Sequence, residues 1–440
     1  MAEPVDAACC VTMFVDVAKW PDLGDVWGSG PLPLALPHRE DEGARQGSAR
    51  VTDRDARSTM LSKRIQDVVL GPIDAPEQGR LHAFVPQPVG FGDWILDAVE
   101  VVRRPDLAGD TASRVPIVLI WHWTGRPQDV AESVYELVRS ANGTSAVARS
   151  MTDVWDLIMG MGITIESSPR SIRTLAHIIN PCRTQDPYSN ERLWSLAAAT
   201  PSRIALPSST AGYRTIAPSA DWRGLVLRDG VAFISAPNGV SEYEKFARVY
   251  CRTIYLDALV LASLQLEAAT WLADNTQRLI SGSPKLADLS LARRSMLKFR
   301  GTLWWAHVSD RASIVDQIVS DFQEQHNLPA LVDQVTQDLN DITAYLESEL
   351  LVVTAEREKM MQRNSDKLAA RFGIFATVLI VPSLVIGFTQ LAVGPSWVTF
   401  GVSFLISLAS TLAVALAIRA MIRAQSEKVF PSSRRDRRER

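Results

Sequence analysis

A long apolar stretch without charge dominates the pattern of hydrophobic and polar positions near the C-terminus. Residues 372–418 are 47 consecutive positions without Asp, Glu, Lys or Arg. Because one membrane helix needs about 20 apolar residues, this stretch is long enough for two spans joined by a Gly-Pro-Ser turn at 394–396. The pattern predicts transmembrane helices at residues 372–393 and 397–421. A buried hairpin in a soluble core is the alternative.

Basic residues flank both predicted spans. Arg363, Lys367 and Arg371 precede the first span. Arg419 lies at the end of the second span, and an arginine-rich tail at 422–440 follows it. Cytoplasmic flanks of membrane helices carry an excess of Lys and Arg. The N-terminus has no basic region before its apolar run, so it predicts no signal peptide. We therefore expect a multi-pass protein of the cell (inner) membrane with both termini in the cytoplasm.

The residues before the spans change from mixed to helical patterning. Strand-like apolar runs at 11–20 and 114–123 and a helical pattern at 129–141 predict a cytoplasmic α/β domain over residues 1–240. Within it, residues 38–59 are polar and charged, which indicates a flexible loop.

Residues 225–235 form a hairpin signal, because two β-prone runs surround an Asp-Gly pair. A capping box opens a helical pattern at 241–280, and a second helical pattern follows at 291–326, with a break expected near Ser309 and Asp310. Residues 241–327 are therefore predicted as a cytoplasmic helical region. The predicted fold class is an α+β membrane protein with a cytoplasmic α/β domain, a long helical stalk and two C-terminal transmembrane helices.

The predicted stalk, residues 328–371, carries apolar residues at spacings of three and four. This spacing keeps one stripe on the same side of a nearly straight helix. No Pro or Gly interrupts residues 330–372, so an unbroken helix from 330 to 393 would span roughly 96 Å. Such a seam is typical of helices that pack on partner helices, although packing on the chain's own domain is the alternative. The seam residues are Leu331, Val335, Leu339, Ile342, Leu346, Leu350 and Val353.

One face of the first predicted span is formed almost entirely by small or polar residues. Small residues let membrane helices approach closely, and the same face could instead line a conduit around an axis of several copies. The amide of Gln390 favours the conduit slightly, because an amide in hydrocarbon needs a partner or water. The pore-lining candidates are Gly373, Ala376, Ile380, Ser383, Gly387 and Gln390.

The remaining composition predicts no enzyme, no resident cofactor and no nucleic-acid partner. The nearly balanced net charge of −3 argues neither for nor against nucleic acid, and the sequence contains no phosphate-binding loop, nucleophile elbow or metalloprotease motif. The histidines His122 and His307 lack a companion motif, which favours core or interface positions. We expect reduced thiols without zinc or redox spacing at Cys9, Cys10, Cys182 and Cys251.

The order of these elements resembles the CorA-type magnesium transporters, which place a cytoplasmic α/β domain and a very long helix before two membrane spans. The local match is "FATVLIVPSLVIGFT" at 375–389. When Ala376 and Thr377 are aligned with the family's Ala-Thr, Gly387 falls on the first glycine of the family's Gly-Ile-Tyr-Gly-Met-Asn. The resemblance implies a homo-oligomer, a pentamer, that lies in the lipid bilayer and transports metal cations.

The family's Gly-Met-Asn motif then falls on Gln390, Leu391 and Ala392. Magnesium sheds water reluctantly, so an amide ring that binds its hydration shell suits it, and Ala392 cannot provide one. The predicted function is thus cation transport, of divalent ions, with altered selectivity; Mg²⁺ or another divalent cation is expected as substrate or regulator, and the metal ligands remain unassigned. The alternative is a membrane-anchored effector or regulator whose cytoplasmic domain senses a ligand or partner and whose hairpin permeabilises or anchors.

Overall fold

The computed structural model describes most of the chain up to residue 393. The described ranges are 6–22, 24–34, 52–107, 114–142, 151–179, 190–201, 213–236, 242–282, 285–305 and 307–393, followed by short helical pieces at 397–398, 401–402, 404–409, 412–413, 416 and 419–420. The chain divides into two compact units, Met1–Thr343 and Ala344–Arg440.

A mixed nine-stranded sheet forms the centre of the first unit, with strand order β2-β3-β4-β5-β1-β6-β9-β8-β7. Neighbouring strands are antiparallel, except that β6 and β9 are parallel. The strands are β1 (Asp6–Val17), β2 (Gly28–Ser29), β3 (Arg80–Phe91), β4 (Trp94–Arg103), β5 (Val115–Gly125), β6 (Arg170–Ile179), β7 (Thr215–Ser219), β8 (Trp222–Val226) and β9 (Gly230–Ser235).

Helices cover both faces of this sheet, which explains why the central strands are almost continuously apolar. One face packs against α3, α4 and α5, and the other against α6 and α7. The helices are α1 (Arg54–Ser58), α2 (Lys63–Val69), α3 (Val130–Ala141), α4 (Thr152–Gly160), α5 (Asn190–Ala197), α6 (Glu242–Arg252), α7 (Ile254–Ser281), α8 (Leu286–Thr302), α9 (Ser313–Gln325) and α10 (Leu328–Val393).

Helix α7 is the core helix of the first unit. Its first twelve residues, 254–265, are all buried, as expected for a helix that is apolar on every side. One described segment, Phe246–Ser281, is long and apolar enough to cross a membrane, but 72% of its most apolar window is buried inside the protein. We therefore interpret this segment as the centre of the α/β unit.

Helix α10 is 66 residues long and contains the predicted stalk and the first predicted span without a break. At about 1.5 Å per residue it extends about 100 Å. It follows α9 after only two residues, and Asn327 adopts a left-handed φ of 50° there. Asparagine tolerates this conformation better than most residues, so it can end one helix before the next begins.

Several predicted elements agree with the structure. Strands β1 and β5 cover the runs at 11–20 and 114–123 apart from their end residues, α3 matches 129–141, and β8 and β9 form the predicted hairpin. The fold is α+β with a long helix, as expected.

Other boundaries differ for local reasons. The predicted helix at 241–280 is two helices, because the chain bends at Thr253, whose hydroxyl donates to the carbonyl of Val249. The predicted pattern at 291–326 begins five residues earlier, at α8. Its expected break near Ser309 and Asp310 is confirmed, since both residues lie between α8 and α9. Most of the predicted flexible loop at 38–59 lies outside the described residues, but its end forms α1, capped by the carboxylate of Asp53.

Candidate functional site

The pore-lining candidates that the structure describes share one side of α10. Gly373, Ala376, Ile380, Ser383 and Gly387 lie within an arc of about 80° on an ideal helix, and all five are exposed in the single chain. A side chain added at Gly373 or Gly387 would meet nothing within 4 Å. The face is therefore open for a partner helix, lipid or a conduit.

Gln390, Leu391 and Ala392 lie on α10 by their backbone, and their side chains are outside the described part of the structure. The second predicted span, residues 397–421, is described only in the short helical pieces between 397 and 420.

Large apolar side chains on the same charge-free stretch are strongly exposed. On α10 these include Phe372 (70%), Ile380 (56%), Leu384 (54%) and Phe388 (72%). Trp397, at the start of the second predicted span, is 91% exposed. Soluble monomers rarely expose contiguous apolar surface of this extent, so this surface fits contact with lipid or with other chains.

The stalk seam behaves differently in its two halves. Val335, Leu339 and Leu346 are buried, Leu331 and Ile342 are half-buried, and Leu350 and Val353 are exposed. The buried side also includes Leu328, Val332 and Thr343. The first four turns of α10, up to residue 343, belong to the compact α/β unit. For this part of the seam, the structure agrees with the alternative that the stalk packs on the chain's own domain.

From residue 347 to residue 373, every residue of α10 is exposed. The exposed residues include Leu351 (70%), Met360 (63%) and Met361 (72%). Isolated helices gain little stability in water, and most helices depend on packing of an apolar face. This part of α10 therefore lacks, in the single chain, the contacts that would stabilise it.

A buried ionic network lies between the sheet and α7, on the sheet face opposite α3. Arg57 Nη1 donates to both carboxylate oxygens of Asp257, at 3.1 and 3.3 Å. Arg80 Nη1 donates to Asp257 at 2.7 Å, and Arg80 Nε donates to Glu100 at 2.8 Å. Both arginines and both carboxylates are at most 1% exposed. Two positive and two negative charges thus balance in the interior.

His122 extends the network to β1. Its Nε2 lies 2.7 Å from Glu100 Oε1, and its Nδ1 lies 3.4 Å from the thiol of Cys10. The three side chains share a sheet face. His122 pairs with Cys10 of β1 on one side and with Ala98 of β4 on the other. Glu100 lies two residues beyond Ala98 on β4, so it points to the same face. Thiol, imidazole and carboxylate in this order have the geometry of an activated nucleophile.

Burial prevents this thiol from acting as a nucleophile. Cys10 is 1% exposed, and burial raises the pKa of its thiol to about 12. Burial also lowers the pKa of His122, and the partners Arg80 and His122 outweigh burial to hold the pKa of Glu100 well below its usual range. A reactive cysteine needs a low pKa and access to solvent. The arrangement is therefore a structural connection between strands.

The corner between α9 and α10 is tied to the turn between β8 and β9. Arg228 Nε donates to the carbonyl of Gln325 at 2.8 Å, and His326 Nε2 lies 3.1 Å from the carbonyl of Arg228. The guanidinium of Arg173 lies 5.2 Å from the ring centre of Phe322. These contacts hold the start of the long helix against the sheet.

A small open cavity of about 290 Å³ lies between the β3–β4 turn and α3, lined by Phe91, Gly92, Asp93, Trp94, Glu132, Ser133 and Glu136. Three carboxylates line it, but within the described ranges no group of three His, Cys, Asp or Glu side chains could hold a metal ion. Phe91 and Trp94 offer little ring surface to the cavity because both are buried.

The histidines and thiols follow the sequence predictions in part. His122 is a core residue, as expected, but the side chain of His307 is 86% exposed and lies 3.8 Å from Asp316. Cys9, Cys10 and Cys251 are buried free thiols, and Cys182 lies outside the described residues. The ionic network was missed, because Arg57 and Asp257 resemble ordinary surface charges in the sequence; Glu100, next to valines in an apolar run, was the one available signal.

Buried His177 makes the stability of the α/β unit depend on pH. It is 2% exposed, and burial, together with Arg252 and Arg248, lowers its pKa to about 3. The unfolded chain binds a proton near pH 6.5, so stability is unaffected above that pH and decreases as the pH falls from about 6.5 towards 3. Between pH 7.5 and pH 5, the free energy of unfolding should fall by about 2 kcal/mol less in His177→Gln than in the wild type. The measurement is urea unfolding of the full chain, followed by tryptophan fluorescence.

The control for this experiment is His307→Gln, which replaces a solvent-exposed histidine. His122 and His326 retain their own lowered pKa values in both variants, so only the difference from wild type is informative. An unchanged pH dependence in His177→Gln would show that His177 is not the group responsible.

Comparison with known proteins matched no protein-family model and no curated protein.

Proposed function

We propose that this chain forms a homo-oligomeric channel or transporter of the CorA type in the cell (inner) membrane, with both termini in the cytoplasm, that conducts cations with altered selectivity. The observation that carries the proposal is the exposed part of α10. Residues 347–373 are uncovered over their whole circumference and continue directly into a charge-free apolar stretch.

Two kinds of contact would cover this exposed surface of α10. The stretch from 347 to 371 includes charged residues on several sides and apolar ones between them, which suits helices from other copies in water. The residues beyond 371 lack charge, which suits lipid. A homo-oligomer with membrane spans at 372–393 and 397–421 provides both contacts, and the CorA resemblance points to a pentamer.

The altered selectivity rests on the residues that replace Gly-Met-Asn. Of Gln390, Leu391 and Ala392, only Gln390 carries an amide that can bind the hydration shell of an ion. The predicted turn at 394–396 contains no acid that would concentrate cations at the mouth. We therefore propose transport of divalent cations with a weaker preference for Mg²⁺ than the family motif provides.

Ion flux into liposomes tests this proposal. The purified protein should admit cations, and comparison of Mg²⁺, Ca²⁺, Co²⁺ and K⁺ in separate experiments should give their order of preference. Gln390→Ala should change that order while the oligomer keeps its size, because it removes the one amide of the predicted face.

A second candidate is supported by the replacement of the family's Asn by Ala392: a membrane-anchored effector or regulator whose α/β unit senses a ligand or partner. An intact oligomer that admits none of the tested cations would contradict the channel and favour this effector.

A further inference from the structure

Helix α8 presents a basic face with exposed leucines between its charges. Arg293, Arg294, Lys298 and Arg300 are exposed, and Asp288 is the only acid of the helix, so α8 carries a net charge of +3. Leu297 is 71% exposed and lies on the helix surface between the arginines. The opposite side of α8 packs against α7 and α2. No described residue forms an ion pair with any of these four cations.

The first half of α10 presents the opposite charge. Residues 328–355 include five acids and no base; the first base is Arg357. Asp338, Asp341, Tyr345 and Glu349 follow at spacings of three and four, so they form one stripe, which we call the acidic stripe. Tyr345, at its centre, is 63% exposed. The acids of this stripe also lack ion-pair partners among the described residues.

The two surfaces match in composition as well as in charge. Leu286, Arg293, Leu297 and Arg300 of α8 lie at relative positions 0, 7, 11 and 14, and Asp338, Tyr345, Glu349 and Val352 of α10 have the same spacing. Each surface therefore offers a straight row of about four turns with an apolar or aromatic residue between charges. Interfaces are enriched in arginine and tyrosine, and complementary charge fixes which surfaces meet.

We propose that the basic face of α8 in one copy of this chain binds the acidic stripe of α10 in the neighbouring copy. The proposal rests on the homo-oligomer of the proposed function and deepens it by naming the contact between subunits. Because the two surfaces are different, the contact is heterologous. Repeated around an axis, a heterologous contact closes a ring of more than two subunits, whereas an isologous contact closes a dimer.

Cysteine cross-linking between two differently labelled chains tests the contact. Leu297 and Tyr345 each lie between two charged residues of their row. With the two rows aligned in the same direction, these residues are offset by four positions, about 6 Å, a separation that a short cross-linker spans. Both variants carry Cys182→Ser, which leaves Cys9, Cys10 and Cys251 as buried thiols. Leu297→Cys and Tyr345→Cys chains with different tags are co-expressed and treated with a short bis-maleimide. Mixed dimers should form, and neither variant expressed alone should form dimers.

Charge reversal then distinguishes a specific contact from random collision. Arg293→Glu with Arg294→Glu should reduce the mixed cross-link by about tenfold, since like charges across an interface disfavour the pairing. Adding Asp338→Arg and Asp341→Arg to the partner chain should restore it to within about twofold of the unmodified pair. Arg311→Glu, the same charge change at an exposed arginine outside α8, should leave the cross-link unchanged.

The oligomer's mass by native mass spectrometry separates failure of this contact from failure of the proposed function. An oligomer that persists without mixed cross-links would overturn the contact and leave the channel standing. Dimers from Leu297→Cys alone would assign α8 to an isologous contact and overturn the proposal. Protection of Leu297→Cys by anionic vesicles, without mixed cross-links, would assign the basic face to lipid and also overturn it. A monomeric protein would contradict both the contact and the proposed function.

Discussion

Gly387→Leu should reduce cation flux through the proposed conduit by about tenfold or more, which corresponds to a barrier higher by about 1.4 kcal/mol. In the single chain, a side chain added at Gly387 meets nothing within 4 Å. Leucine also favours a helix by up to about 1 kcal/mol relative to glycine, so the substitution should not destabilise α10 itself. Any loss of flux must then arise from neighbouring copies or from the permeating ion. The measurement is ion entry into liposomes that contain equal amounts of wild-type or variant protein.

Phe388→Leu is the control, because Phe388 is 72% exposed and lies about 100° around the helix from Gly387. Its flux should remain near the wild-type value. The oligomer's size must be measured in parallel, because small residues also allow close helix packing. Dissociation of the Gly387→Leu oligomer, together with unchanged flux in Gln390→Ala, would identify the face as a packing surface and contradict the conduit.

The local elements of the α/β unit could be predicted because each depends on a short pattern. β1 and β5 are continuous apolar runs, α3 has helical periodicity after a capping Asp129, and the β8–β9 hairpin surrounds an Asp-Gly pair. The strand order could not be predicted in the same way. β1 lies in the middle of the sheet between β5 and β6, and these pairings join residues between 98 and 173 positions apart.

Periodicity identified an apolar stripe on the long helix but not what covers it. The stripe over Leu331–Val353 is covered up to about Leu346 and exposed at Leu350 and Val353. The same spacing of three and four serves a helix that packs on its own domain and one that packs on another copy, so the sequence alone leaves both open. Burial in the structure distinguishes the two halves.

The residues of the candidate site also divide into those that the sequence predicts and those that it does not. The small-residue face at 373–387 could be predicted because it repeats along one helix, and the structure shows its described members on one exposed side. The buried ionic network could not be predicted, because Arg57 and Asp257 are 200 residues apart in the chain. Only folding brings such charges together, and a lone charge in a sequence is far more often solvated.

Asp257→Asn should lower the stability of the α/β unit strongly, because it removes a buried charge from the ionic network. Asp257 is 1% exposed and accepts hydrogen bonds from both Arg57 and Arg80. Removing its charge leaves two buried guanidinium groups with Glu100 as the one remaining carboxylate of the network. Breaking a buried ion pair on one side costs about 3–5 kcal/mol, or a lower melting temperature by about 6–20 °C. Near-ultraviolet circular dichroism of the full chain measures this transition through the buried tryptophans.

Asp274→Asn is the matched control, because Asp274 lies on the same helix, α7, and is exposed. It should shift the transition by less than about 0.5 kcal/mol. A decrease as small as this in Asp257→Asn would contradict the account of the network.

Replacing both members of one pair separates the cost of an unpaired charge from the strength of the pair. Arg57→Met combined with Asp257→Leu leaves Arg80 and Glu100, which are 2.8 Å apart and balance each other. The double variant should therefore be more stable than the sum of its single substitutions predicts, by about 1–3 kcal/mol. Buried ion pairs can often be replaced by apolar groups at little cost, whereas a single unpaired charge cannot be accommodated. Additive effects would instead show that Arg57 and Asp257 contribute independently, through packing and through their separate hydrogen bonds.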